Sequence, residues 1–192
     1  TYAVSYKNKP VVLSSALGVS LKDKTALVNH FEVTGTTTHA VNETWKPVLG
    51  EQAQIVNHYN ELIVALVQKD SKVKLNLVFR AFDEGVAFRY DFPKQENLNY
   101  FIISDEKTEF NLTENNKVLW IPGDFDSNEY VYNETKFSEI DNEKLNLNNG
   151  IGVKSIPGKY TVQTPLQMKS PSGLYLNIFE AAVVNYPVMH LD

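Results

Sequence analysis

From residue 72 to residue 90, apolar and polar side chains alternate with period two on both sides of one compact turn. Val73, Leu75, Leu77 and Phe79 fall on one face, while Lys72, Lys74 and Asn76 fall on the other. Beyond Asp83-Glu84-Gly85, the apolar Val86, Phe88 and Tyr90 alternate with Ala87 and Arg89. Only a strand turns successive side chains to opposite faces, so this stretch is excluded from helix. The pattern predicts an antiparallel hairpin of residues 72–81 with 86–92, in which Gly85 supplies a left-handed backbone at the turn. On patterning alone, Arg80 and Arg89 are surface ion-pair formers on a structural hairpin.

Strand signals continue along the chain. Residues 2–6 and 10–13 flank a turn at Lys7-Asn8-Lys9, and residues 27–33 alternate before meeting Gly35. Further strands are expected at residues 98–104, 109–112, 118–121, 160–163 and 174–179. Residues 51–67 also fit helical spacing, through Ile55, Tyr59, Leu62, Ile63 and Leu66. Their Ile and Val content, with Asn57 and Asn60 mid-pattern, favours two strands joined near 57–60. The polar stretch 124–149 reads as a long loop with a short helix around 138–145, ended by a turn at Asn149-Gly150. Many short strands with Gly, Pro and Asn turns predict a single all-β domain, a large antiparallel sandwich.

The chain has 192 residues and a formal net charge of -5, with scattered Lys and Arg. No basic stripe exists, which argues against a nucleic-acid partner. The longest strongly apolar run, 62–67, is too short to span a bilayer. The absence of cysteine excludes disulfides and thiolate metal sites. The start at Thr1 shows neither a signal peptide nor a lipobox cysteine, as a mature or an engineered start would. Asn42, Asn111 and Asn133 head sequons that matter only in a eukaryotic secreted protein.

Residues able to carry chemistry are few. His30, His39, His58 and His190 lack metal-ligand spacing. Neither a phosphate-cradling glycine loop nor a nucleophile elbow is present. Asp83 and Glu84 are adjacent and point apart, so they are no glycosidase pair. Asp124 and Asp126 alternate as calcium ligands can, although a solvated loop is the stronger reading. Glu180 follows an apolar strand and precedes small apolar residues. A carboxylate in such surroundings needs a partner, which is Arg80 or Arg89 in one reading and a divalent cation in the other. Trp45, Trp120, Tyr130 and Tyr132 lie in polar segments and are the candidate sugar-stacking platforms, though large aromatics more often serve the core.

Six segments, in this order, resemble the N-terminal domain of glycoside hydrolase family 97. They are Ser14-Ser15-Ala16-Leu17-Gly18, Thr44-Trp45-Lys46-Pro47-Val48-Leu49-Gly50-Glu51, Asn57-His58-Tyr59-Asn60-Glu61-Leu62, the Phe79 to Tyr90 hairpin, Trp120 with Tyr130-Val131-Tyr132, and Phe179-Glu180-Ala181-Ala182 with Asn185-Tyr186-Pro187.

The resemblance implies a β-supersandwich similar to galactose mutarotase. It also implies a place in a periplasmic, calcium-dependent α-glucosidase or α-galactosidase acting on oligosaccharides. In such enzymes this domain clasps a catalytic (β/α)8 barrel and lends it one calcium-binding glutamate, whose matching position is Glu180. The chain lacks the barrel and is expected to be a C-terminally cut piece, inactive alone, with an exposed apolar face that favours a homodimer. Two other functions stand beside this one. The first is a free-standing carbohydrate-binding sandwich. The second is a mutarotase-like enzyme pairing His58 or His190 with Glu180.

Overall fold

The computed structural model describes residues 1–145 and 155–192. Among the described residues, every paired strand is antiparallel and the regular structure is β, interrupted only by single 3₁₀ turns, consistent with a β-sandwich. The chain divides into two units, Thr1–Asn111 and Leu112–Asp192.

In the first unit, β1 (Tyr2–Tyr6) and β2 (Lys9–Ser15) form a hairpin. Its turn residues Lys7 and Asn8 both have positive φ, at 50° and 62°. That handedness matches the twist of the flanking strands. Strand β3 (Val19–Leu21) pairs with the later β8 (Ile103–Glu106). A four-stranded sheet follows, in the order β4 (Phe31–Trp45), β5 (Ile55–Gln68), β6 (Lys74–Ala81), β7 (Val86–Asp91). Val19, Leu21, Leu27, Val73 and Leu98 form the buried cluster of this unit.

The hairpin expected from the alternation is β6–β7, with Phe79 opposite Phe88 and Leu77 opposite Tyr90. Phe82 N–H donates to the Gly85 carbonyl at 2.8 Å to close it. Gly85 is not the left-handed residue expected at this turn. Its φ is not left-handed, and nothing lies within 4 Å of where a Cβ would stand. The glycine that the fold demands is Gly18, where φ is +155° and a Cβ would meet the Leu27 carbonyl oxygen at 2.7 Å. Its N–H donates to the Tyr90 hydroxyl at 2.9 Å.

Residues 51–67 do not form two strands. Strand β5 runs unbroken for 14 residues, because residues 57–60 find partners at 40–43 on β4. Strand β4 is 15 residues long and begins at Phe31, since His30 has φ of 57° and ends the approach. Its β-branched Thr34, Thr36, Thr37 and Thr38 suit a pleated, solvated surface. Residues 98–104 also differ from expectation. A 3₁₀ turn at Glu96–Leu98 buries Leu98, and the strand starts only at Ile103. Residues 109–111 make backbone bonds to Ala16 and Leu13 without forming a regular strand.

The second unit holds a sheet in the order β10 (Asn133–Lys136), β9 (Lys117–Trp120), β12 (Leu166–Lys169), β13 (Tyr175–Ile178). Strand β11 (Val162–Gln163) pairs with β14 (His190–Leu191). Val118, Trp120, Ile140, Val162, Leu166 and Met168 form its buried cluster. The expected helix at 138–145 is two single 3₁₀ turns, Phe137–Glu139 and Asn142–Lys144. Ile140 between them has ψ of 124°, which no helix accommodates, and the Asp141 carboxylate accepts from Glu143 N–H. The turn expected at Asn149-Gly150 lies outside the described residues.

Candidate functional site

Glu180 stands just beyond β13, half-buried. Its Oε2 accepts a hydrogen bond from the Met189 N–H at 2.8 Å. Among the described residues, Oε1 has no hydrogen-bond partner, so the carboxylate is oriented by one oxygen and free to ligate with the other. Arg80, one of its two expected partners, is engaged elsewhere. Arg80 Nε donates to Glu61 at 2.8 Å, and the guanidinium lies 4.5 Å from the Tyr59 ring centroid. Arg89 is exposed on β7.

Met189 is itself anchored. Thr164 Oγ1 donates to its carbonyl at 3.2 Å, and the next two residues pair with Gln163 and Val162 as β14. The close approach of β14 requires Gly123, where a Cβ would lie 2.6 Å from Thr161 Cγ2 and 3.1 Å from His190 Cδ2. The His190 ring meets Phe125 edge-on, with centroids 5.2 Å apart.

Asp124 is the buried centre of this region, not a solvated loop residue, with 3% exposure. Its Oδ1 accepts from Asp126 N–H at 2.9 Å and Ser155 N–H at 3.2 Å, and the Tyr130 hydroxyl donates to Oδ2. Burial acts to raise the Asp124 pKa. The Tyr130 hydroxyl and the backbone N–H groups of Asp126, Ser155 and Ser127 outweigh it, and the pKa is lowered. Burial, then the Asp124 carboxylate, pushes the Tyr130 hydroxyl up to about 12. The Ser155 hydroxyl donates to Asp126. With these oxygens taken by protein donors, the Asp124–Asp126 pair is a structural latch. Sequence reasoning missed this role, although an Asx turn at Asp-Phe-Asp was its signal.

The aromatic candidates separate cleanly. Trp120 is 1% exposed in the core, its Nε1 donating to Thr135 Oγ1 at 3.0 Å, and Tyr130 is buried on Asp124. Both are therefore removed from the list of sugar platforms. Trp45 and Tyr132 stay exposed.

The histidines are dispersed. His30 Nδ1 lies 2.7 Å from Asp70 Oδ2, His39 is opposite Glu61, and His58 is opposite Asn42. His58 belongs to the first unit and Glu180 to the second. His190 follows the residue whose N–H holds Glu180. Among the described residues, no group of three His, Asp or Glu side chains could hold a metal ion.

The glycosyl-hydrolase 97 N-terminal profile matches residues 1–192. The chain belongs to this family. It is 22% identical over 204 residues to a retaining alpha-galactosidase of Bacteroides thetaiotaomicron, with all of this chain and 27% of that protein covered. A glycoside hydrolase family 97 enzyme from Pseudoalteromonas sp. strain K8, solved in complex with acarbose, superposes with a TM-score of 0.83 at 32% identity. That match covers 100% of this chain and 27% of the enzyme. A beta-arabinopyranosidase crystal structure shares the fold, with a TM-score of 0.75 at 21% identity over 94% of this chain and 28% of that one. The chain thus corresponds to the N-terminal region of multidomain glycosidases and spans about a quarter of their length. Glu180 lies in the family-like Phe179-Glu180-Ala181-Ala182 segment, with Oε2 held by the Met189 N–H.

Proposed function

We propose that this chain is the N-terminal domain of a calcium-dependent α-glycosidase that cleaves α-linked oligosaccharides in the periplasm. The domain packs on a catalytic barrel and lends it Glu180 as one calcium ligand. The observation that carries this reading is the Glu180 carboxylate, fixed through Oε2 and, among the described residues, without a hydrogen bond to Oε1. Calcium takes several hard oxygens drawn from different segments. Among the described residues no group of three His, Asp or Glu side chains could hold a metal ion, so Glu180 fits a site completed by residues outside this chain. When bound, calcium would polarise oxygens of the substrate.

Catalysis also needs two carboxylates about the scissile bond, and these belong to the barrel. Family membership, and relatives described as an alpha-galactosidase and as an enzyme bound to acarbose, support the activity class. Exposed apolar residues such as Val48 (98%) and Leu49 (89%) support packing against a further surface, the barrel or a second copy.

The test compares the complete protein with the 192-residue chain on nitrophenyl α-glucoside and α-galactoside, with and without a calcium chelator. The complete protein should hydrolyse one of them, lose that activity on chelation and regain it with added calcium. The 192-residue chain should be inactive. Chelator-insensitive hydrolysis would overturn the calcium reading. Sugar binding by the 192-residue chain, with no hydrolysis by the complete protein, would favour a free-standing binding module.

A further inference from the structure

Glu180 stands at the head of a stretch with no regular backbone framework of its own. Residues 181–188 are exposed and form neither strand nor helix, and Asn185 among them has φ of 55°. A carboxylate on such a stretch samples many orientations, and a partner that needs one of them must bear the cost of ordering it. The Met189 N–H removes part of that freedom by donating to Oε2 at 2.8 Å. It can do so only if Met189 is itself held.

Met189 is held on its carbonyl side. The Thr164 hydroxyl donates to its carbonyl at 3.2 Å, and the adjoining His190 and Leu191 pair with Gln163 and Val162. These three partners are consecutive residues, and they are rooted in the second unit. Val162 is 2% exposed in the cluster with Trp120 and bridges Pro122. Gln163 N–H donates to the Ile121 carbonyl at 3.2 Å. Its side-chain amide donates to the Asp124 and Ser127 carbonyls at 3.2 and 2.7 Å. One chain of contacts therefore runs from the core through β11, Thr164 and Met189 to the Glu180 carboxylate. Val162 also packs the core and Gln163 also holds the Asp124 loop. The Thr164 hydroxyl serves Met189, so its removal leaves both of those tasks in place.

Groups that orient a metal ligand from behind tune affinity strongly, and losing one typically weakens binding about 10- to 100-fold. We infer, resting on the calcium reading of Glu180, that Thr164 is a positioning residue for the cation that Glu180 serves. It holds Met189 so that the Met189 N–H presents the carboxylate already ordered.

Calcium titration calorimetry on the complete protein, with substitutions at residue 164, tests it. Thr164→Val keeps the shape and loses the donor, and Thr164→Ala loses the donor without added bulk. Each should weaken calcium binding about fivefold, less than a direct outer partner of the ligand would. Thr164→Ser keeps the hydroxyl and should keep parental affinity. A merely structural hydroxyl would lower the melting temperature and leave calcium affinity unchanged. In the Glu180→Gln background, Thr164→Val should add less than about twofold, because a residue acting through the carboxylate is coupled to it. Parental affinity in Thr164→Val and Thr164→Ala, a full loss in Thr164→Ser, or additive losses in the double variant would each overturn the proposal. Parental affinity in Glu180→Gln would overturn the calcium reading together with it. Weakened binding in Glu180→Gln beside parental binding in Thr164→Val would overturn the role of Thr164 alone.

Discussion

The Met189 N–H donates to Glu180 Oε2 at 2.8 Å, closing the segment between β13 and β14 onto its own acidic residue. One oxygen is thereby spent on holding the carboxylate still. In the 192-residue chain, Glu180→Ala removes the acceptor from the Met189 N–H and should cost about 1 kcal/mol in urea unfolding. Glu180→Gln keeps an acceptor at that end and should change stability by less than about 0.5 kcal/mol. Equal losses in both variants would mean that the negative charge, and not the hydrogen bond, holds the segment.

Trp120 and Tyr132 should respond oppositely to truncation. Trp120→Ala opens a cavity in the core of the second unit and should destabilise it by about 3–5 kcal/mol. Tyr132→Ala, at a side chain 54% exposed, should stay within about 0.5 kcal/mol. Denaturant unfolding measures both.

Gly18 and Gly85 should separate in the same way. Gly85→Ala meets no atom within 4 Å and no left-handed φ, so it should be neutral. Gly18→Ala drives a methyl against the Leu27 carbonyl in a left-handed backbone and should cost about 2 kcal/mol or more. A neutral Gly18→Ala would show that β3 can shift away from Leu27.

The Asp124–Tyr130 pair should shape the pH dependence of stability at both ends. The folded-state pKa of Asp124 is lowered, so its contribution is present above the unfolded value of about 3.9 and is lost as pH falls through the folded one. The pKa of Tyr130 is raised to about 12, so its contribution is full below about 10 and is lost as pH rises toward 12. Melting temperatures across pH should show a shallower acid limb for Asp124→Asn and a shallower alkaline limb for Tyr130→Phe. Parallel limbs in parent and variants would contradict the latch.

How much of this was legible depended on whether the signal was local. The β6–β7 alternation, the Lys7-Asn8 turn and the strand before Glu180 are written in neighbouring residues, and the sequence reading found them. The continuity of β5 through Asn57 and Asn60 was not legible, because those polar residues are held by pairing with β4, 14 or more residues away for Asn57 and Glu43. Trp120 and Tyr130 looked loop-like for the same reason. Their burial comes from Val162, Leu166 and Met168 in one case and from Asp124 in the other. Glu180 was singled out by its apolar surroundings and its family-like segment. Its partner, a backbone N–H nine residues on, carries no side-chain signal at all.

Calcium titration calorimetry on the Glu180→Gln variant of the complete protein tests whether Glu180 is a calcium ligand. The substitution removes a negative oxygen donor while keeping the shape and the Met189 hydrogen bond, and calcium affinity tracks ligand charge. Calcium affinity should be at least tenfold weaker, together with reduced hydrolysis of the nitrophenyl α-glycoside and an unchanged melting temperature without calcium. Parental calcium affinity and parental activity in Glu180→Gln would contradict it and leave Glu180 as a fastening for the β13–β14 segment.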